Sequence, residues 1–302
     1  MATLTDTNLA LAIVKLIASQ FVQPLVGNLV MGNLVNRDYE ATLANAGDTV
    51  NVPIPPVMTA NNIAETGTVQ TQNPSPGNAQ IVLNSHIESS FVVPDVAKAM
   101  VAILQDPGAP QLYMQPAQVA LAEKIEADLL ALYPLFTYNT PVGASATPIS
   151  ESVIDLADTQ MFNAKVPTSE KKSLILSATA YGAVRQLDRF TEAQTVGTGS
   201  AITTGVLGTI KNFDVYRSQF VPKPSATTFN FAFARNAIAL AIRKLPLPLP
   251  GTGAVAAYAE FGGFVFRVVM SYNPNSLAQQ FTVDCLYGTG VLRNQFGQVV
   301  QS

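Results

Sequence analysis

The sequence is short of charge. Only 12% of its 302 residues are Asp, Glu, Lys or Arg, roughly half the usual share of about 25% in globular chains. It has one cysteine, Cys285, one histidine, His86, and no tryptophan. A single cysteine excludes an internal disulfide, and one Cys with one His excludes a Cys/His zinc site. The net charge of −3 and a pI near 5.2 exclude the clustered Lys and Arg that phosphate neutralisation requires, so DNA is expected to be contacted only non-specifically. Uninterrupted apolar runs are also missing. The opening LALAIVKLIASQFVQPLVGNLVMGNLV is broken by Lys15, Gln20, Gln23, Pro24, Asn28 and Asn33, leaving no window of the ~18 to 20 residues needed for a spanning helix. No basic segment precedes it, so no secretory leader is expected.

Hydrophobic residues nevertheless make up 48% of the chain. A chain of this length can bury a sizeable core of its own. Surface that is neither charged nor facing lipid must be covered by protein, and permanent interfaces are more apolar than ordinary surface. Much of this surface is therefore expected to be buried against other copies of the chain.

Thr5 or Asp6 is placed to cap a helix carrying Leu9, Ile13, Leu16 and Ile17 on one face, and GNLV then recurs in VGNLVMGNLV, read as an extended apolar arm with glycine joints that must lie on something else. The runs 48–57 and 79–93 alternate like the two legs of a hairpin, with TANNIAETGTVQTQNPSPGN as turn chemistry between them. Between Asp38 and Lys98 there is no Lys or Arg, where even usage would place about 3. Asp95 is expected to cap a short helix. Residues 111–133 carry the longest helix, striped by Ala117, Leu121, Ile125, Leu129 and Leu132. A further amphipathic helix is expected to begin at Ser150 or Ser152. Strand SLILS, helix ATAYGAVRQLDRF, flexible EAQTVGTGSAITTG, strand NFDVYRSQFV, and FNFAF leading into a helix RNAIALAIRK follow. After the extended LPLPLPG come two long strands, FGGFVFRVVMSY and LAQQFTVDCLYG, joined by NPNS. The pattern is α+β.

No catalytic pattern emerges. His86 alternates within a strand run, and Cys285 alternates with core positions as a small hydrophobe. Ser169 and Lys172 have S-x-x-K spacing inside a polar turn without a supporting motif. GTGSAITTG and GTGVLRNQFG fit no phosphate-binding frame. Glu123, Glu126 and Asp128 read as acids on a solvated or interface face of the long helix. No cofactor and no metal are expected.

The order of segments, together with VNRDYEATLANAGDTVNVPIP, GVLGTIKNFDVYRSQFVP and NFAFARNAIALA, resembles the major capsid proteins of tailed bacteriophages with the HK97-type fold, particularly the group similar to the phage P22 coat protein. The resemblance implies an N-terminal arm over residues 1–46 and an E-loop over 47–93 that lies across the adjacent subunit. It further implies a P-domain with the spine helix over 94–149 and 260–302, and an A-domain over 150–259. It implies no enzymatic activity, but self-assembly into the pentamers and hexamers of an icosahedral shell around double-stranded DNA. Assembly in the host bacterial cytoplasm and localisation in the virion follow from it. The implied partners are other copies of the chain, a separate scaffolding protein, a portal and decoration or cement proteins. Subunit-interface residues are expected at Arg37, Asp38, Glu40, Glu65 and Glu88, and at the capsomer-contact turn Asn273, Pro274 and Asn275. The region 47–93 holds no lysine, so the lysine-to-asparagine crosslink of some relatives is not expected. The alternatives are an encapsulin-like compartment and a serine-lysine hydrolase using Ser169 and Lys172.

Overall fold

The computed structural model describes residues 30–39, 49–63, 65–100, 109–187, 208–249, 251–261 and 264–302. Residues 30–39 lead into the body. VGNLVMGNLV was expected to be extended, but Met31–Leu34 forms one helical turn (α1) with Met31 and Val35 fully buried. The segment was expected to lie on something else, but Met31 and Val35 join the chain's own core. The helix at the N-terminus lies outside the described residues, as do Glu40 and residues 192–205.

Strands β1 (Thr49–Ile54) and β2 (Gly77–Val82) form an antiparallel two-stranded ribbon in which Val50 faces Ile81, Val52 faces Ala79 and Ile54 faces Gly77. The expected second leg is in fact two strands. A break at Leu83-Asn84 separates β2 from β3 (Ser85–Pro94), which leaves the ribbon and pairs with β12 (Ala278–Val291). Strand β12 is the long axis of a five-stranded sheet that also holds β10 (Ala254–Phe261) and β11 (Phe264–Asn273). Pairing with β11 ends at Asp284, and β9 (Ile238–Arg243) pairs from Leu286 onward.

Strand β9 overturns the helix expected over RNAIALAIRK. Ala, Leu and Arg are good helix formers, so local propensity pointed the wrong way. Burial on both faces decides it. Ile238, Leu240 and Ile242 enter the main core, while Ala239 and Ala241 enter a second cluster with Val50, Val52, Ala79 and Ile81. A strand buried on both sides reads as a continuous apolar run with no period to identify it.

Helix α2 (Asp95–Met100) follows β3, and α3 (Ala109–Leu130) is the long spine, with Ala117, Leu121, Ile125 and Leu129 buried as the stripe requires. Tyr287 of β12 is fully buried, and its hydroxyl donates to Asp128 of the spine. Tyr287→Phe removes a charge-assisted bond and leaves the acceptor short of a donor. Its expected effect in thermal denaturation is a loss of about 1 to 3 kcal/mol.

The second sheet is mixed and six-stranded, in the order β4 (Val142–Gly143), β13 (Gly297–Gln301), β8 (Phe229–Ala234), β5 (Lys172–Leu176), β7 (Phe213–Arg217), β6 (Thr209–Ile210). Lys211 and Asn212, with φ of 44° and 70°, make the tight turn between β6 and β7. Its helices are α4 (Glu151–Asn163), with Ser150 at the cap position, and α5 (Ala178–Arg185), where the Ser177 hydroxyl accepts from the Ala180 N–H at 3.2 Å. Sheet membership does not follow the boundaries expected from sequence. Strands β9 and most of β10, from 150–259, lie in the five-stranded sheet, and β13, from 260–302, lies in the six-stranded one.

Candidate assembly surfaces

The ribbon is seated on a bed of residues with little or no side chain. Gly288 pairs with Ala241 and Gly290 with Ala239 across β12 and β9. A Cβ on Gly288 would stand 2.3 Å from the Val82 carbonyl oxygen, and one on Gly290 would stand 2.9 Å from that of Gln80. Only glycine lets the ribbon backbone approach so closely. On the outward face, Asn78 and Gln80 both donate side-chain N–H groups to Asn51 Oδ1 at 3.0 Å, which ties the two strands together.

Beyond Ile54 and Gly77 the ribbon opens into residues 55–76, most of them exposed. Gln72 closes the base of this loop. It accepts from the Thr59 N–H at 3.1 Å through Oε1 and donates to the Thr59 carbonyl through Nε2. Val57 (87% exposed), Val69 (70%), Met58 and Ile63 project with little of their own chain beneath them. Four large apolar side chains on a loop without Lys, Arg or His offer contact area and amide groups, not anion binding or catalysis. A second apolar surface surrounds the β11–β12 turn, where Val92, Val96, Tyr272 and Leu277 are exposed. That turn is rigid. Asn273 Oδ1 accepts from the Asn275 N–H at 3.0 Å, the Leu277 carbonyl accepts from the Asp95 N–H at 3.0 Å, and Tyr272 donates to Asp95 at 2.7 Å.

The residues expected at interfaces do not form one cluster. Asn273, Pro274 and Asn275 are exposed at the turn, Glu65 is exposed on the loop and Glu88 is exposed on β3 opposite Asp284. Arg37 is half-buried. Asp38 pairs with Arg235 of its own chain at 3.2 Å, with both side chains mostly exposed, a geometry worth about 0 to 1 kcal/mol. Asn36 anchors this stretch. Its N–H donates to the Ile238 carbonyl, its own carbonyl accepts from the Leu240 N–H, and its side-chain amide reaches Asn236 at 2.7 Å.

Groups weighed for chemistry are occupied elsewhere. Lys172 is buried and paired with Asp158 at 2.7 Å, while Ser169 is exposed in the turn. Cys285 is buried. His86 Nε2 lies 3.0 Å from Asp284 Oδ2, whose carboxylate also takes two N–H groups of Arg267. Arg267 donates in addition to the Pro246 carbonyl, and Tyr258 donates to the Leu245 carbonyl, so these bonds hold the start of the proline-rich segment, Leu245-Pro246, to the sheet. Nothing in the sequence pairs Asp284 with Arg267, because a β-sheet register sets the match. Glu126 was read as lying on a solvated or interface face, but it is buried within its own chain, and burial raises its pKa. Among the described residues no group of His, Cys, Asp and Glu could hold a metal, and no helix is long and apolar enough to cross a membrane.

No protein-family model matches the sequence, and no curated protein matches it. Solved structures do. One from Mycobacterium phage Che8 aligns with a TM-score of 0.68 over 90% of each chain at 18% identity. The capsid of a native GTA particle aligns at 0.61 over 91% of this chain and 90% of that one, with 12% identity. The capsid of Ralstonia phage GP4 aligns at 0.54 over 88% and 86%, also with 12% identity. The fold is the HK97-type phage capsid fold. At such low identity backbone topology carries the likeness, and the α+β capsid fold class expected from the sequence agrees with it.

Proposed function

We propose that this chain is a major capsid protein that assembles with copies of itself into a closed shell. The observation that carries the reading is the loop 55–76, which exposes Val57, Met58, Ile63 and Val69 at the end of a ribbon rigidly seated on Gly288 and Gly290. Exposed apolar area on a stiff projection gains its free energy only when a neighbour covers it. Identical chains making heterologous contacts close into rings, here pentamers and hexamers of an icosahedral shell. A subunit already held at one contact finds the next at high effective concentration, so modest contacts sum to a stable particle.

In this reading residues 1–46 form an arm and the ribbon with its loop the E-loop. The five-stranded sheet with the spine helix is the peripheral lobe, and the six-stranded sheet is the axial lobe. The exposed charges Glu65 and Glu88 and the turn Asn273-Pro274-Asn275 are contact positions, joined by Arg37, Asp38 and Glu40. A separate scaffolding protein, a portal and decoration proteins are the further partners, the shell encloses double-stranded DNA held non-specifically, and assembly takes place in the bacterial cytoplasm.

Negative-stain electron microscopy with light scattering of the purified chain tests the reading. Hollow particles or capsomer rings are the expected result, and a separate scaffold would sharpen their size distribution. A monodisperse monomer that stays monomeric at high concentration, with or without scaffold, would overturn it.

A further inference from the structure

Glu126 lies mid-way along the spine helix and is 1% exposed. Its Oε2 accepts from the backbone N–H of Met31 at 3.0 Å, and its Oε1 accepts from the Ser218 hydroxyl at 3.0 Å. Ser218 Oγ in turn accepts from the Phe220 N–H at 3.2 Å. One side chain thus ties three parts of the molecule: the spine, the start of α1 and the segment leaving β7. Both of these donors are uncharged. Among the described residues, the charged groups named here on the spine, β12, β3 and β7 have other partners or are exposed. On the spine Lys124 pairs with Asp128 and Glu123 is exposed. From β12, Tyr287 reaches Asp128, while Asp284 is held by Arg267 and His86. Glu88 of β3 is exposed, Arg217 at the end of β7 stacks over the Tyr181 ring, and Asp38 beyond α1 pairs with Arg235.

We propose that Glu126 is a proton-operated latch for residues 30–36, holding the segment down on the spine while the side chain is neutral and loosening it on ionisation. A carboxylate removed from water with only uncharged donors is poorly compensated. Lifting residues 30–36 returns it to water. In the neutral form Oε2 still accepts from Met31, while the protonated oxygen donates to Ser218 Oγ, so Glu126 keeps both bonds in the seated state.

Burial pushes the carboxyl above its ordinary value of 4.5, against the opposing hydrogen bonds from Met31, Ser218 and Val30. The seated state therefore binds the proton more tightly than the lifted one. The stabilisation of the seated state is fully present below the ordinary value and is lost as pH rises through the raised one. Acid seats the segment and higher pH frees it. The latch acts on residues 30–36 themselves. It operates within one chain and does not depend on shell formation.

Hydrogen–deuterium exchange of the full chain, followed at the amides of residues 30–36 between pH 5 and 8 and corrected for intrinsic exchange, tests this directly. In the unmodified chain protection is expected to fall with rising pH, by up to about tenfold for each unit by which burial raises the pKa. Glu126→Gln stays neutral, accepts from Met31 and donates to Ser218, so its protection is expected to be flat. Equal pH dependence in both chains, no pH dependence in the unmodified chain, or protection that rises with pH would overturn the latch. Should Glu126→Gln not fold, Ser218→Ala replaces it. That variant lacks one donor to the ionised form and is expected to lose protection at lower pH than the unmodified chain if the lost bond loosens the seated segment directly, or at higher pH if its main effect is to disfavour the carboxylate. A profile superimposable on the unmodified chain would overturn the proposal.

Discussion

Replacing residues 55–76 by Asn-Gly is expected to abolish shell formation while leaving the subunit folded. Ile54 and Gly77 are the last cross-strand partners of the ribbon, and a two-residue type I′ turn joins such a pair without disturbing its register. The loop adds almost nothing to the subunit's own core, since most of its side chains are exposed. The thermal midpoint of the isolated subunit should therefore be nearly unchanged. A cut extended to residue 78 would take Gly77 and Asn78 out of β2. Circular dichroism with electron microscopy of the variant reads both halves of the expectation. Normal shells would sink the role of the loop, and an unfolded subunit would show that the loop serves the chain's own stability.

Gly288→Val is expected to be the most disruptive single substitution at the ribbon's seat. A Cβ there stands 2.3 Å from the Val82 carbonyl oxygen and 2.8 Å from its carbon, both backbone atoms that no rotamer change can move aside. Either β12 or the ribbon must shift, costing about 3 kcal/mol or more, and the loop's direction changes with the ribbon. Gly182→Ala is the matched control. Gly182 lies within α5 with nothing within 4 Å of an added Cβ, so helix propensity alone should stabilise the protein by about 0.5 to 1 kcal/mol. Denaturant melts of the two variants should shift in opposite directions. A neutral Gly288→Val would mean that the ribbon is not held where the close approach places it.

Much of this was legible in the residues. The alternation of Val50, Val52 and Ile54, the stripe on the spine helix and the NPNS turn between two long strands all reflect patterns repeated within one element, which need no knowledge of the rest of the fold. RNAIALAIRK failed because its two faces are buried by different clusters, so its period vanished and propensity filled the gap. The run 79–93 failed differently. Its alternation continues through Leu83-Asn84, but the pairing partner changes there, from β1 to β12.

By itself the sequence determined that this protein would not be a disulfide scaffold, a Cys/His zinc protein or an electrostatic binder of nucleic acid, because the first two need more cysteine and histidine than one of each and the third needs an excess of Lys and Arg that 17 against 20 Asp and Glu do not supply. It also determined a lysine-free, polar hairpin loop flanked by strands, since turn residues and period-2 alternation act locally. Only the tertiary structure decided that GTG is the seat of that hairpin, that Arg267 meets Asp284 and that Glu126 is out of water. Each depends on backbones or side chains brought together from 17 to 210 positions apart, and a strand register one residue different would turn the glycines and the Arg267–Asp284 pair to the opposite face.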